Sequence, residues 1–477
     1  MTELHAGIDR SSLVVAQPKD AVASTVVRFE NSDAIWVALG QSLVARGHVE
    51  QSLLCYKAAI ACSDGNAAAY AARGLSYFHL GRHNEAMDDY LAALRLEPVS
   101  PGIWTNLGVL YQTACCLDEA ISCFETALLH DPHTPEVWAN LGRSQFANGD
   151  FAAALTSFSA ALALKPGDVR LHFDRAVVML ASGEWQEGWH EYEARLKLNI
   201  EPRVLTRCFP LWQGEPLQGK RVLALSEQGI GDVFQFVRFV RHLRALGAEV
   251  TLHVQSRLKQ VLGGLLIDCT VIDQFDEDMR FDYEVPLMSL PSRLGDIGIL
   301  ARFSAYIAVD DTRRRHWDAR LERIAGAKRR VGIAWQGNPG YSGDAWRSVP
   351  LSAFAPLLRP VDVALISLQR HAGLDQIATA GVPLYDPGPD VDTDGAFIDT
   401  AAIIASLDLV ITSDSAVAHL AGAMGKPVWL LLGHVPDWRW GRVGTTTPWY
   451  PTMRLFRQTV PGNWTSVIAE VLTALES

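Results

Sequence analysis

A chain of 477 residues with 49% hydrophobic and 20% charged residues is too long for one ordinary core and too apolar for a disordered chain, so two or three domains are expected. Its formal net charge of −11 is unevenly spread: residues 1–200 carry 23 Asp/Glu against 14 Lys/Arg, and residues 201–477 carry 30 against 28. An acidic first half argues against nucleic acid as the main partner and suits a neutral or basic polypeptide.

Residues 1–32 show no clear pattern and no apolar stretch of signal-peptide length. Nowhere does an apolar run reach the roughly 18 residues of a membrane span. Seven cysteines (55, 62, 115, 116, 123, 208 and 269) form no CxxC pair. An odd, scattered set suits reduced thiols and a cytoplasmic location. Most of them fall at apolar positions of helical patterns, which predicts small core residues.

From residue 33 the chain repeats. Trp36, Tyr70, Trp104 and Trp138 stand 34 residues apart, and Gly40, Gly74, Gly108 and Gly142 keep the same step. So do Tyr56, Tyr90, Phe124 and Phe158, and then Ala59, Ala93, Ala127 and Ala161. Pro98, Pro132 and Pro166 close three units. This is the tetratricopeptide pattern, a pair of helices per unit. Small residues at the glycine positions let the two helices of a unit approach closely, and large ones are expected to fill the gap to the next unit. A degenerate fifth unit, 169–198, trades small residues for Trp185, Trp189 and Tyr192, so it is expected to dock on the domain after it. The stacked pairs predict a superhelix with a concave face for an extended peptide. A spacer or a homo-oligomer contact is the rival reading.

Residues 202–220 have connector composition. Then strands alternate with helices, which means parallel, doubly wound sheets. Strands are expected at 221–225, 249–254, 268–272, 281–285 and 288–290, with helices at 234–246 and 256–265. A solvated helix is expected at 312–325. Its Arg313, Arg314 and Arg315 read as exposed charge rather than a nucleic-acid patch. A second module has strands at 331–335, 363–368, 409–412 and 428–432, and helices at 351–358, 400–405 and 464–475. The domain division is therefore 1–32, repeats at 33–200, a first Rossmann-like module at 201–325 and a second at 326–477. A cleft between the strand ends of the two modules could hold a ligand.

Three stretches could carry chemistry. Residues 227–232 form a strand-to-helix turn. Gly229 and Gly231 there admit a close ligand backbone contact. Asp232 is either a first-turn carboxylate or a group that takes a proton from a hydroxyl in the cleft. Residues 335–348 make a Gly-containing loop with Asn338 and Arg347; Arg347 is either an ordinary loop residue or a paired donor to a diphosphate. Gln369 ends another strand at the same edge, and Gln369 and Asn338 are candidate donor contacts beside Arg347. Residues 412–427 read as strand, short helix and stop. The helix start at Asp414 and Ser415 offers oriented N–H groups to phosphate, with His419 one turn on. His419 is either a ligand contact or a satisfied core residue. The aromatic run Trp438, Trp440, Trp449 and Tyr450 either stacks a base or packs between modules. No hydrolase elbow, zincin motif or Cys/His metal spacing occurs, so no metal and no cofactor beyond a co-substrate are expected.

Taken together, residues 188–195, 227–232, 413–419 and 436–440 resemble tetratricopeptide-repeat proteins with a GT-B glycosyltransferase domain of the heptosyltransferase (glycosyltransferase family 9) type. The layout also resembles the O-linked N-acetylglucosamine transferases. The resemblance covers roughly 33–460. It implies an inverting, metal-independent glycosyltransferase whose general base is Asp232, with the first module on the acceptor side and the second on the donor side. Asp414, Ser415 and His419 match the donor-binding turn, and Arg347 stands where a basic residue meets donor phosphate. Some bacterial members with repeats look like modifiers of flagellin or other proteins, so a protein or peptide acceptor held by the repeats is expected beside a nucleotide-sugar donor. A transferase-like domain kept as a scaffold or sugar-nucleotide sensor is the alternative.

Overall fold

The structure, a computed structural model, describes residues 32–198, 208–276, 278–295, 305–341, 343–358 and 362–477. The expected unpatterned N-terminal segment, apart from Ser32, and part of the connector lie outside them. The chain folds as two compact units, one extending to Val178 and one from Met179 to Ser477.

The first unit is all helical. Its helices are α1 (Ser32–Ala45), α2 (Val49–Cys62), α3 (Ala67–His79), α4 (His83–Leu96), α5 (Pro101–Thr113), α6 (Leu117–His130), α7 (Pro135–Ala147), α8 (Phe151–Leu164) and α9 (Val169–Ser182), the last crossing the boundary. The repeated residues explain themselves in pairs. A Cβ on Gly40 would lie 2.5 Å from the Tyr56 ring, and on Gly108 2.7 Å from the Phe124 ring. Gly74 faces Tyr90 and Gly142 faces Phe158 in the same way. The large residue thus covers the glycine of its own unit, rather than only filling the gap to the next. Ring and glycine fix the approach of the two helices. The tryptophan–proline period has a polar cause. Trp104 Nε1 donates to the Pro98 carbonyl at 2.7 Å, and Trp138 Nε1 donates to that of Pro132 at 2.9 Å. In the degenerate unit His172 Nε2 meets the Pro166 carbonyl at 2.9 Å. Each bond satisfies a carbonyl beyond the end of one helix with a ring from the next.

Between the two helices of each unit the chain turns through the left-handed region. Gly47, Gly81, Gly149 and Gly183 do this at φ of 81°, 73°, 84° and 90°, and Cys115 stands at the same step with φ 60°. This corrects the expectation for the cysteines. Only Cys55 and Cys123 are buried; Cys115 and Cys116 occupy an exposed turn, and Cys62 and Cys208 are exposed too.

The second unit begins inside the degenerate repeat. It contains α10 (Trp185–Tyr192), a 3-10 turn (Glu193–Lys197) and two parallel sheets. The first sheet has order β3-β2-β1-β4, from β1 (Arg221–Leu225), β2 (Glu249–His253), β3 (Thr270–Ile272) and β4 (Tyr283–Pro286). The second has order β6-β5-β7-β8-β9, from β5 (Arg329–Ala334), β6 (Val363–Ser367), β7 (Leu409–Ser413), β8 (Val428–Leu432) and β9 (Met453–Arg457). All their pairings are parallel. β7 is buried at every position and β5 over its last four, as expected of central parallel strands.

Helices α11 (Ile230–Phe236), α12 (Val240–Ala245), α13 (Lys259–Leu262) and α14 (Leu290–Leu294) follow the first-sheet strands. Those of the second sheet are α15 (Asp311–Ala325), α16 (Asp344–Arg347), α17 (Ile398–Ala405), α18 (Ala416–Ala423) and α19 (Trp464–Glu476). Five expectations change. The helix foreseen at 256–265 is a 3-10 turn at Ser256–Leu258 running into the four-residue α13. The helix foreseen at 234–246 starts earlier and is interrupted by a 3-10 turn at Val237–Phe239, where the Arg238 side chain bonds back to the Gln235 carbonyl. The strand foreseen at 288–290 is helical, a 3-10 turn at Leu287–Ser289 running straight into α14, whose first turn holds Pro291. Leu351–Leu358 is 3-10 rather than α, with Pro356 inside it. β9 is an addition: its two arginines hide an edge strand that pairs in parallel beside β8 and buries its other three residues. The basic run behaves as local charge, with Arg313 paired to Asp399 at 2.7 Å and Arg330 to Asp318 at 2.5 Å.

Candidate functional site

In each sheet the strand order reverses at one point, β1/β4 in the first and β5/β7 in the second. Open parallel sheets hold ligands outside the carboxyl ends of strands at such a point. The loops leaving β1, β5 and β7 carry the three stretches singled out in the sequence.

The loop after β1 is held from two sides. Glu227 is 4% exposed and receives a two-pronged ion pair from Arg195, Nε to Oε2 at 2.9 Å and Nη2 to Oε1 at 2.8 Å. The Met288 N–H donates to the same carboxylate at 2.9 Å. Arg195 also donates to Ser289 Oγ and to Glu193. Gln228 takes the left-handed conformation, φ 58°, and its Nε2 donates to the Tyr192 hydroxyl at 3.2 Å. The end of the degenerate repeat therefore docks, as expected, and its target is the β1 loop. Trp189 completes the seat, edge-on to Phe236, Trp438 and Trp449.

Asp232 lies in the first turn of α11. Its Oδ2 accepts the Gly229 N–H at 2.8 Å, the backward half of a capping box. Its Oδ1 accepts a hydrogen bond from Arg439 Nη2. Both oxygens keep a further lone pair. Burial pushes the Asp232 carboxyl above its ordinary range, and the Arg439 charge and the Gly229 N–H act against that rise. Arg439 is buried and gives each side-chain nitrogen a partner. Besides Asp232, Nη1 donates to Asp437 Oδ1 at 2.7 Å and Nε to Gln235 Oε1 at 2.8 Å. Although burial alone would raise it, Arg439 holds the Asp437 carboxyl below the usual range.

Gly231 meets α18 directly. A Cβ there would lie 2.8 Å from His419 Cδ2, so the two helix starts touch across that glycine. His419 is 5% exposed, stacks on Trp440 at 5.3 Å between centroids and pairs its Nδ1 with the Tyr450 hydroxyl at 2.9 Å. Burial first, and the nearby Arg439, push its pKa well below the ordinary value, so His419 is a neutral imidazole. Arg238, fully buried, extends this junction: it donates to the Trp449 carbonyl and to the Tyr306 hydroxyl, and lies over the Tyr450 ring at 4.6 Å.

At the start of α18, Ser415 takes an extended backbone and its hydroxyl caps no N–H. Its Oγ lies 3.4 Å from Thr412 Oγ1. Asp414 beside it is pushed up, first by burial and then by Asp437, while Arg347 and the Trp440 indole oppose the rise. Trp440 Nε1 stays outside good hydrogen-bond geometry even so, and Ser413 Oγ is buried with no hydrogen-bond partner. A buried hydroxyl without a partner is unusual enough in a folded protein to need a reason.

Arg347 ends α16, pairs with Asp344 Oδ1 at 3.2 Å and lies over the Tyr341 ring at 4.6 Å. Asp344 in turn accepts from Ser348 Oγ, whose oxygen accepts the Gly337 N–H. An open cavity of about 450 Å³ adjoins this loop, lined by Gln336, Tyr341, Asp344, Ser348 and Gln376 among others. Gln369 belongs to the loop's framework: Oε1 accepts the Trp335 and Gln336 N–H groups, and Nε2 donates to the Gln336 and Ala372 carbonyls. Asn338 closes a turn onto the Gly340 N–H.

The structure thus brings Asp232, Gly231, His419 and Asp414 into one neighbourhood, with Arg347 close enough to act on Asp414. The aromatic run resolves to packing, since Trp438, Trp440, Trp449 and Tyr450 are all at most 3% exposed. Sequence reasoning missed Arg439, Gln235, Arg238 and the partner of Glu227. Arg439 left a trace, as a charged residue between two tryptophans and two places after an aspartate, and Arg195, the partner of Glu227, closes the stretch 188–195.

Residues 396–461 match the family Glycosyltransferase family 9 (heptosyltransferase). Tetratricopeptide-repeat families match 74–114, 117–169 and 140–197. The family 9 stretch contains Asp414, Ser415, His419 and Arg439, whereas Asp232 and Arg347 precede it. Protein FlbA of Caulobacter vibrioides is 31% identical over 360 residues, 69% of this chain and 59% of that protein, so the chain spans less than two thirds of this relative. Among solved structures, YrrB, titled a TPR protein with an unusual peptide-binding site, is 18% identical, with a TM-score of 0.32 over 37% of this chain and 90% of its own. TTC0263 of Thermus thermophilus is 19% identical, TM-score 0.31, over 36% and 93%. PilF of Pseudomonas aeruginosa is 17% identical, TM-score 0.36, over 46% and 89%. The chain joins tetratricopeptide repeats to a glycosyltransferase family 9-like domain. Among the described residues no helix is long and apolar enough to cross a membrane.

Proposed function

We propose that this chain transfers a sugar from a nucleotide-sugar donor to an acceptor hydroxyl, with inversion and in a GT-B arrangement. The single observation that carries this reading is the meeting of α11 and α18 at Gly231 and His419, which sets Asp232 beside a helix start flanked by Asp414 and Arg347. The donor diphosphate lies at the α18 N–H groups and Arg347, where developing negative charge is stabilised. The buried, unpartnered Ser413 Oγ gives that corner spare hydrogen-bonding capacity. Asp232 takes the acceptor's proton as the acceptor oxygen bonds to the anomeric carbon and the carbon–oxygen bond to the diphosphate breaks. The acceptor is a protein or peptide held by the repeats, whose acidic composition favours a neutral or basic segment.

The test separates chemistry from binding. Donor affinity is measured by calorimetry against a panel of sugar nucleotides, and transfer is followed by mass spectrometry of host proteins. Asp232→Asn is expected to bind donor as the parent does and to lose transfer by a hundredfold or more, within the roughly 10²–10⁴ range of general-base contributions. Undiminished transfer removes Asp232 as the base. If the parent binds no sugar nucleotide, the transferase-like domain is a scaffold.

A further inference from the structure

We propose that Arg439, held between Asp232 and Asp437, is the positioning residue that keeps the Asp232 carboxylate ionised, so that Asp437 sets the strength of the base from one step further away. The proposal rests on the reading of Asp232 as the base.

Its basis is geometric. Asp232 is contributed by the first sheet's module and keeps only 17% of its side-chain surface exposed. Arg439 comes from the turn after β8 in the second, and its side chain is 7% exposed. That guanidinium cannot swing away without breaking bonds on three sides, to Asp232, Asp437 and Gln235. Its face lies 4.2 Å from the Trp438 ring centre, and its carbonyl accepts the Trp449 indole N–H. The Asp437 carboxylate also caps the Arg439 backbone N–H at 3.1 Å.

A base so little exposed would otherwise hold its proton, because a low-dielectric setting penalises the charged form. An undivided arginine would overcorrect and leave a carboxylate too weak to take a hydroxyl proton. Sharing Arg439 between two carboxylates gives an intermediate strength. Further charges surround the group. Glu227, in the same loop, is paired with Arg195 and still acts, with Asp437, to push the Asp232 carboxyl up. From the second module come Asp414, Arg347 and neutral His419; Arg439 and Asp437 act on the ionisation of both Asp414 and His419.

The full chain, labelled with ¹³Cγ aspartate, is titrated by NMR, with the Asp232 resonance identified by its loss in Asp232→Asn. Arg439→Met is expected to move the Asp232 midpoint up, and Asp437→Asn to move it down, each by about one to three pH units, the span that a neighbouring charge produces. The acid limb of kcat/KM follows in the same opposite senses. A residue that merely held the loop in place would not produce shifts of opposite sign. Midpoints that stay put or move together overturn the proposal. Should Arg439→Met not fold, Asp437→Asn decides alone: a downward shift supports the assignment, and no shift or an upward one refutes it. If the midpoints move as stated while the acid limb does not, the Arg439 assignment stands and Asp232 is not the base.

Discussion

Replacing Cys115 with glycine should stabilise the repeat array. Cys115 turns between α5 and α6 at φ 60°, where the equivalent positions 34 residues before and after are Gly81 and Gly149, at 73° and 84°. A side chain in the left-handed region costs about 1–2 kcal/mol, because Cβ crowds the following carbonyl. The freer unfolded chain of a glycine variant offsets about 0.4–1 kcal/mol of that gain. Cys115 is exposed, so little packing is lost with the thiol. The net gain expected is about 0.5–1 kcal/mol, read as a higher urea midpoint at unchanged slope for the repeat transition. Cys115→Ala is the control: it removes the thiol and keeps the strain, so its midpoint should stay near the parent's. If Cys115→Gly is no more stable than Cys115→Ala, the strain argument is wrong.

The other predictions concern contacts of the same kind. Arg195→Met leaves Glu227 buried without its ion-pair partner, so the second unit should lose about 3–5 kcal/mol, and Arg195→Met with Glu227→Met should recover much of it; a double-variant loss equal to the sum of the two single losses would show that the pair is not coupled. Gly108→Ala places a methyl 2.7 Å from the Phe124 ring, against 3.1 Å for Gly142→Ala and Phe158. Both should destabilise, by about 1–3 kcal/mol, the first more than the second, and thermal melts in the reverse order would refute the ring-over-glycine account. His419 is buried neutral with a depressed pKa, so the unfolded chain takes up its proton first as pH falls. Its contribution is fully present above the unfolded value of about 6.5 and is lost below it, with a slope approaching about 1.4 kcal/mol per pH unit. His419→Gln should flatten the stability profile on that acid side, and an unchanged slope would remove His419 as its source.

The repeats were legible because a 34-residue period repeats one structural problem. Gly108 is needed where Phe124 lies, and Trp104 where Pro98 leaves a carbonyl, and the same pairs recur in register. Local chemistry there decides local structure. The parallel strands were legible for a similar reason: β7 is buried throughout, so it reads as a continuous apolar run. β9 was hidden because its partner, not its own sequence, makes it a strand. The site divides along the same line. Glycines, the helix start and Asp232 mark themselves by turn chemistry, within a few residues of one another. That Asp232 is bound to Arg439, 207 residues away, and that Glu227 is bound to Arg195, 32 away, follows from no period or pattern. A buried charge needs a partner, but the sequence does not say which one, and only the packing of α11 on α18 and of α10 on the β1 loop chose them.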